Sequence, residues 1–582
     1  MTSRHPLLYF SVLLLALPAA AKTLYVSPAG KADGDGSKVQ PFNRVQSALD
    51  LAGPGDTVQL APGVYRERVR FVRSGTYGKP IRLNGPRDAI IDASENMNWQ
   101  WEPAPEVGPF VYRTAVPFQM YTVVCREGLV IPLNEPRVTP GSPKVSATVK
   151  DRKGFMWVWD WRHNLREGVG QFGWKRVKAL TMYHKKRGEM LIAFGDKRDP
   201  REEDIRMAPK AGAVTIENVD RCVVSGITIR HGWYGVLLNN SRGSVVENCR
   251  IERSDFGVRM EGKSQHCTVR FCDISMDSFS DFDPWIRGSW DTWQAHKIGG
   301  FWDRIGVDIR NSIGGHRVHD NYIHHHWGGV QDIGNIGENR DLEVHHNRID
   351  VIADDGLEPN GAEENCRWHD NVVSNSRCGF RIKSIHKGPL YAFNNIFMHN
   401  REDYRNFRAS DKTKALVYVY FNTSTSPVGI NINKVPRKIG TPNYHYLNNI
   451  FYCECCFKYS TKPEVADPDW QEAGNLFVRR GNSSRWDSQL RQAKAHGFGG
   501  KSRYLSNAKP GFQDYEKGNL ALTADSPARK AGVSLTKYKL PGLSAAQKLK
   551  SPDVGALPFG TPMPQLPRKQ EAVKAPPAGF WP

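Results

Sequence analysis

Asp308, Glu358, Arg381 and Lys383, with the Asp354-Asp355 pair beside them, are the residues whose types and spacing could do chemistry in this chain. Each of the four follows a glycine in a short phrase: Gly306-Val-Asp-Ile-Arg310, Gly356-Leu-Glu-Pro-Asn360 and Gly379-Phe-Arg-Ile-Lys383. Side chains of an extended strand alternate in direction. The residue after each glycine is apolar and is expected to point inward, so the next one points out. This places Leu237, Arg259, Asp308, Gln331, Glu358 and Arg381 in one outward column. Asn239, Glu261, Arg310, Asn360 and Lys383 make a second. Carboxylates and cations crowded this closely perturb one another's protonation, which is a mark of sites.

Two chemistries suit the set. The first is proton abstraction beside a carboxylate, as in β-elimination on a sugar acid. Arg381 and Arg310 can hold the carboxylate as planar forks. Lys383 is the base, its pKa lowered by Arg381 on the same face, while Glu358 opposes that shift. The second is hydrolysis by paired carboxylates. Asp355 and Glu358 lie in one rung and Asp308 two rungs away, about 9.6 Å at strand spacing. Side chains leaning together would reach the roughly 6.5–9.5 Å window of inverting glycosidases. His386, just past Lys383, is a third acid/base candidate, because histidine titrates near neutral pH. Arg259, Arg310, Gln331 and Asn360 are expected to contact substrate. The other histidines offer no clean zinc set: His324–His326 alternate faces, and His345 and His346 fall in a structural strand.

These residues need a scaffold that repeats. The glycines at 235, 257, 306, 329, 356, 379 and 429 are spaced by 22 to 27 residues, apart from gaps of 49 and 50 that must hold a long or doubled coil. A second phrase keeps pace with Asn321, Asn347, Asn371, Asn395, Asn422 and Asn449, and Cys249 and Cys272 take that place earlier. A row of asparagines at one phase reads as a stacked amide ladder rather than as a ligand site. A fixed period of this size marks a unit that must stack on copies of itself. Short strands rich in Val and Ile, with no helical pattern between them, make that unit a β coil.

Three segments carry a resemblance. They are Leu24-Tyr-Val-Ser-Pro-Ala-Gly30, then Pro41-Phe-Asn-Arg-Val-Gln-Ser-Ala-Leu49, then Gly53-Pro-Gly-Asp-Thr-Val-Gln-Leu-Ala-Pro-Gly-Val-Tyr65. Together they resemble the opening of secreted right-handed parallel β-helix proteins of the pectate-lyase-like superfamily. Leu522-Thr-Ala-Asp-Ser-Pro-Ala528 and Asp553-Val-Gly-Ala556 resemble the family's closing segment. The resemblance covers roughly 24–95 and 210–556 and implies an all-β solenoid whose N-terminal end is capped by a small helix at about 43–52. Calcium is common in such enzymes, and Asp332, Asp354, Asp355 and Glu358 are the candidate ligands here, since hard cations prefer oxygen. Asp354-Asp355 followed by Arg381-Ile-Lys383 also resembles elements of polygalacturonases. The Gly-His-Gly element between them is missing and the Arg-Ile-Lys comes one coil early, so hydrolysis ranks second. A fold of this kind hosts many functions.

The remaining organisation follows. Arg4 and His5, the apolar run Leu7 to Pro18 and Ala19-Ala20-Ala21 read as an export signal over 1–21, too short to span a bilayer. Residues 22–95 are expected to hold the cap and first coils, 206–556 the β-helix, and 557–582 a Pro-rich tail. Residues 96–205, with Trp99, Trp101, Trp157, Trp159, Trp161 and Trp174, break the phasing and read as an inserted β-rich subdomain. A second insert at 276–304 carries Trp285, Trp290, Trp293 and Trp302, which form either a private core or a sugar-stacking surface, with Trp290 and Trp293 the candidates for stacking. It leaves the solenoid just before the Asp308 coil and so is placed to wall the groove. Lys and Arg exceed Asp and Glu by 80 to 60. A basic exported chain suits an acidic polysaccharide better than nucleic acid, for which no zinc-finger or RNP-like motif is present. Ten cysteines are too few for a disulfide scaffold, and Cys453, Cys455 and Cys456 read as a local disulfide or buried thiols. The sequence therefore predicts a secreted or periplasmic, monomeric protein acting on a uronic-acid polymer. A lyase leads, an inverting hydrolase or C5-epimerase is second, and a non-catalytic glycan-binding or adhesive β-helix is the third class.

Overall fold

The computed structural model describes residues 20–276, 303–407, 415–433, 443–459, 471–495 and 500–566, apart from 119, 127, 134–148, 151–155, 158–160, 169–173, 175–177 and 384. The expected export segment, Trp290, Trp293 and most of the tail lie outside these residues.

The short Val/Ile phrases form parallel strands that stack into three ladders. One is a thirteen-stranded parallel sheet running from Thr23–Lys31 to Gln471–Ala473. The second contains the glycine-led strands, from Val69–Phe71 to Cys455–Tyr459. The third runs from Gly63–Tyr65 to Arg503–Leu505. The last two ladders fuse at the strands Arg348–Glu358 and Val372–Ile382, each of 11 residues, which run through both. These fused strands carry Asp354, Asp355, Glu358 and Arg381, with Lys383 just past the second and Asp308 on the strand Ile305–Arg310.

One apolar cluster fills the solenoid from Leu24 to Trp486, because each coil turns its Val, Ile and Leu inward onto the next. The six predicted asparagines are fully buried. Each amide N–H donates to the carboxamide oxygen one coil on: Asn321 to Asn347 and Asn347 to Asn371 at 3.0 Å, and so on to Asn449 and Asn475 at 2.9 Å. Cys272 takes the ladder's earlier place, its backbone N–H donating to Asn321 Oδ1 at 3.0 Å. The helix Val45–Leu51 closes the N-terminal end with Val45, Ala48 and Leu49 buried. The Glu67 carboxylate accepts from the Val45 and Gln46 backbone N–H at 2.7 and 3.2 Å, satisfying donors that a helix start leaves open.

The two long gaps resolve differently. Across the first, Arg259 pairs directly with Asp308, so the extra residues leave and rejoin a single coil. The second is a doubled coil: the strand Glu402–Phe407 lies between Val372–Ile382 and Val428–Asn433, with Asp403 where a glycine was expected. Glycine is required where coils touch most closely; a Cβ on Gly257 would sit 2.4 Å from the Gly306 carbonyl oxygen.

Between the early coils the strands are mostly antiparallel. Val111–Ala115, Ala179–His184 and Glu189–Phe194 pair in one small sheet, and Met120–Cys125 pairs with Arg206–Pro209 in another. They share a cluster that includes Trp101, Val123, Ile192 and Met207. Cys453, Cys455 and Cys456 are buried thiols, which is the thiol arm of the expectation. Among the described residues no helix is long and apolar enough to cross a membrane.

Candidate active site

The strand register lines up Arg70, Thr215, Leu237, Arg259, Asp308, Gln331 and Glu358, each beside the next. Beyond them Arg381, Arg405, Asn431 and Lys458 continue the column, so it extends past the coils expected from the sequence. The second column also forms, with Asn239, Glu261 and Arg310 in register and Ile333 next.

Ion pairs knit the columns together. Asp308 is fully buried between Arg259, 2.8 Å away, and Arg310 at 3.2 Å. Asp355 contacts Arg381, Asp354 contacts Arg377, and Glu358 contacts Lys383. Simple alternation would turn Asp355 inward. The register slips by one residue between Ile352 and Asp355, and residues just before the glycines of other coils, such as Tyr234, Phe256 and Ile305, likewise gather in a cluster outside the main core. Arg259 lies over the rings of Tyr234 and Phe256 at 5.5 and 5.4 Å, a cation–π seat that fixes its guanidinium.

Burial raises the Glu358 carboxyl to about 7, with the charge of Asp355 adding and those of Arg381 and Lys383 opposing. Burial also raises Asp355. For Asp354 burial pushes upward, but Arg377, Arg381 and Arg405 outweigh it and hold the carboxyl at about 2. Asp303, at the return from the second insert, stays exposed at the rim. Its carboxyl is raised by partial desolvation and then by Asp354, and it feels Lys383, Arg310 and Arg381. Its place over the columns was not legible, since it follows a long break in the phasing. The Glu402–Arg405 pair, at 3.4 Å, was likewise missed because Asp403 hides the coil's glycine signal.

Three expectations need revision or placement. Asp332 does not join Asp354, Asp355 and Glu358. It pairs with Ile309, faces inward, is fully buried and accepts from the Asn339 amide. The alternation that turns Gln331 out turns its neighbour in. The other three carboxylates are already met by cations, and among the described residues no group of three or more His, Cys, Asp or Glu is arranged to hold a metal. The four residues implied for calcium therefore do not make one ligand set. His386 is exposed on the turn after buried Ile385, its backbone N–H on the Gly361 carbonyl. Asn360 is half-buried and follows the end of its strand.

A family model described as a right handed beta helix region matches residues 206–280. Over 75 residues the chain is 43% identical to the uncharacterized protein YwoF of Bacillus subtilis, covering 13% of this chain and 16% of that one. Over 90 residues it is 34% identical to pectate lyase PEL9 of Emericella nidulans, covering 15% of this chain and 22% of that one. The match thus spans less than a quarter of the length of either relative. Among solved structures, pectate lyase Pel9A aligns at a TM-score of 0.44 and 11% identity, over 93% of this chain and 97% of that one. A structure titled as a glycoside hydrolase aligns at 0.47 and 11%, over 81% and 98%. Stacked parallel coils, a buried asparagine ladder and the family-model match agree: the chain is a right-handed parallel β-helix.

Proposed function

We propose that this protein is a carbohydrate-active enzyme that binds an acidic, uronate-containing polysaccharide along the charged columns and cleaves it by β-elimination. One observation carries the reading: the cations lie outermost, over buried carboxylates. The Arg310 and Lys383 side chains are 30% and 25% exposed, against 0%, 2% and 8% for Asp308, Asp355 and Glu358. A polyanion therefore meets guanidinium and ammonium groups first. Gln331 adds a polar anchor. It is 4% exposed between Asp308 and Glu358, and its amide oxygen has no hydrogen-bond partner among the described residues. It is set to accept from a sugar hydroxyl.

In this reading Arg310 and Arg381 neutralise the uronate carboxylate, which acidifies the C5 proton. Lys383 takes that proton once its amine has passed its own to Glu358, which touches it and whose raised carboxyl is a ready acceptor. The C5–H electron pair becomes the C4–C5 double bond, the C4–O bond breaks, and the leaving oxygen takes the proton held by Glu358, which returns the pair to its resting charges. The hydrolytic alternative needs Asp308 to activate a water, yet Asp308 is fully buried between two arginines.

The test is incubation with pectin, alginate and glycosaminoglycans, with and without calcium. Unsaturated products absorbing in the ultraviolet support the reading. Reducing ends without that absorbance transfer it to a hydrolase. Binding without turnover of any polymer transfers it to a glycan-binding module.

A further inference from the structure

Away from Glu358 and Lys383, toward the N-terminal end of the same face, lies a second groove feature. It is a cavity of about 1020 Å³ whose lining includes Arg44, Arg66, Arg68, Arg70, Arg206 and Lys210. Thr215 and Leu237 also line it, and Leu237 pairs in register with Arg259, so the cavity opens directly onto the charged column. Four rungs separate Leu237 from Glu358, about 19 Å at strand spacing.

The charge balance here differs from that of the central coils. Four carboxylates share the lining, Glu67, Glu95, Asp204 and Glu217, but each has other work or a loose partner. Glu67 holds the helix start and stands 3.8 Å from Arg44. Glu217 accepts from Asn239 at 2.8 Å and stands 3.9 Å from Arg70. Glu95 is 3.5 Å from Arg68, and Asp204 accepts from Asn96. Beneath the floor, Asp92 is fully buried and serves Arg66, Arg206 and Arg230 at 3.5, 3.2 and 3.1 Å. Its fourth neighbour, His231, is 2.8 Å away, and burial keeps that ring neutral. Asp204 adds a second carboxylate, 3.4 Å from Arg206, and two carboxylates against three guanidinium groups still leave the floor a positive surplus.

We infer that this cavity is a second anion-binding subsite, which holds a carboxylate-bearing stretch of an acidic glycan while another stretch lies over the Glu358–Lys383 coils. The inference rests on the proposed polyanion ligand but not on its cleavage. Two linked contacts act at high effective concentration, so a chain long enough to reach both gains affinity that a short one cannot. The site therefore discriminates by chain length.

The experiment measures binding of a short and a long oligogalacturonate fraction by calorimetry, with the full-length protein. Arg44→Ala/Arg70→Ala is the probe, and Lys79→Ala/Arg82→Ala, equal in charge and away from the cavity, is the control. Arg66→Ala is a third variant, aimed at the Asp92 centre. The expected result is a loss of about tenfold or more for the long fraction with the cavity variants, no change for the short fraction, and no change with the control. A length-matched heparin fraction separates carboxylate from sulfate: binding that the cavity variants weaken equally would mean the subsite reads charge alone and would overturn its assignment to carboxylates. Equal losses for short and long fractions, or for the control pair, would reduce the effect to net charge and overturn the subsite. Should Arg66→Ala fail to fold, the Arg44/Arg70 pair, exposed and loosely held, still decides. Absence of turnover by the wild type would sink the lyase reading while leaving this length dependence to stand or fall alone.

Discussion

The central coils and the N-terminal cavity lie on one face, yet they handle charge in opposite ways. In the centre four buried carboxylates each have a cation against them: Asp354 with Arg377, Asp355 with Arg381, Glu358 with Lys383, and Asp308 between Arg259 and Arg310. In the cavity, one buried carboxylate, Asp92, faces three arginines, and the other pairs are stretched to 3.4–3.9 Å. Matched pairs at short range suit proton movement, because a small displacement changes which partner holds the proton. A positive surplus suits anchoring, because it attracts an anion without being consumed by a reaction.

The largest expected effect tests the centre. Lys383→Ala should lower formation of unsaturated product by about a thousandfold, within the usual range for a lost acid/base group, while leaving binding of the polymer largely intact. Retained turnover would move the base elsewhere. Next, Asp92→Asn should destabilise the protein by about 3 kcal/mol, since it leaves three arginines without their buried counterion. Chemical denaturation measures this, and an unchanged midpoint would mean that solvent already balances the cavity floor. A smaller effect concerns pH. Glu358 has its folded pKa raised from 4.5 to about 7, so its protonated form is the one that folding favours. That contribution is full below about 4.5 and fades as pH rises through 7. Thermal midpoints of the wild type should therefore fall relative to Glu358→Gln over this window, and parallel curves would contradict the shift. The smallest effect is on the stability of Arg70→Ala. An exposed arginine 3.9 Å from its partner holds little of the fold, so its thermal midpoint should match the wild type while its affinity for long anionic chains drops. A marked fall in its midpoint would mean that the cavity arginines are structural.

Much of this was legible from periodicity. The asparagine phase predicted a buried ladder, and the structure has it with amide contacts of 2.9–3.0 Å. The glycine phase predicted the outward column, and Arg259, Asp308, Gln331, Glu358 and Arg381 stand in it. The failures have local causes. Asp355 escapes alternation where the register slips by one residue between Ile352 and Asp355. Asp332 was grouped with the other carboxylates for its oxygen ligands, against the alternation that governs its strand. The Glu402–Phe407 coil was hidden because Asp403 takes the glycine position, its carboxylate accepting from Asn400 and Ser424 at 2.8 and 2.6 Å.

The sequence by itself determined the repeat, the inward and outward faces of each coil, and the run of charged residues along one of them. These are properties of neighbours in the chain, set by strand geometry and by the need of each coil to bury its apolar side. Only the tertiary structure decided that Arg259 meets Asp308 across 49 residues, and that Arg44, Arg66 and Arg206 gather in one cavity with Asp92 beneath. Such meetings depend on how many residues each coil spends before it returns, and on where strands outside the solenoid rejoin it. No local pattern encodes those lengths.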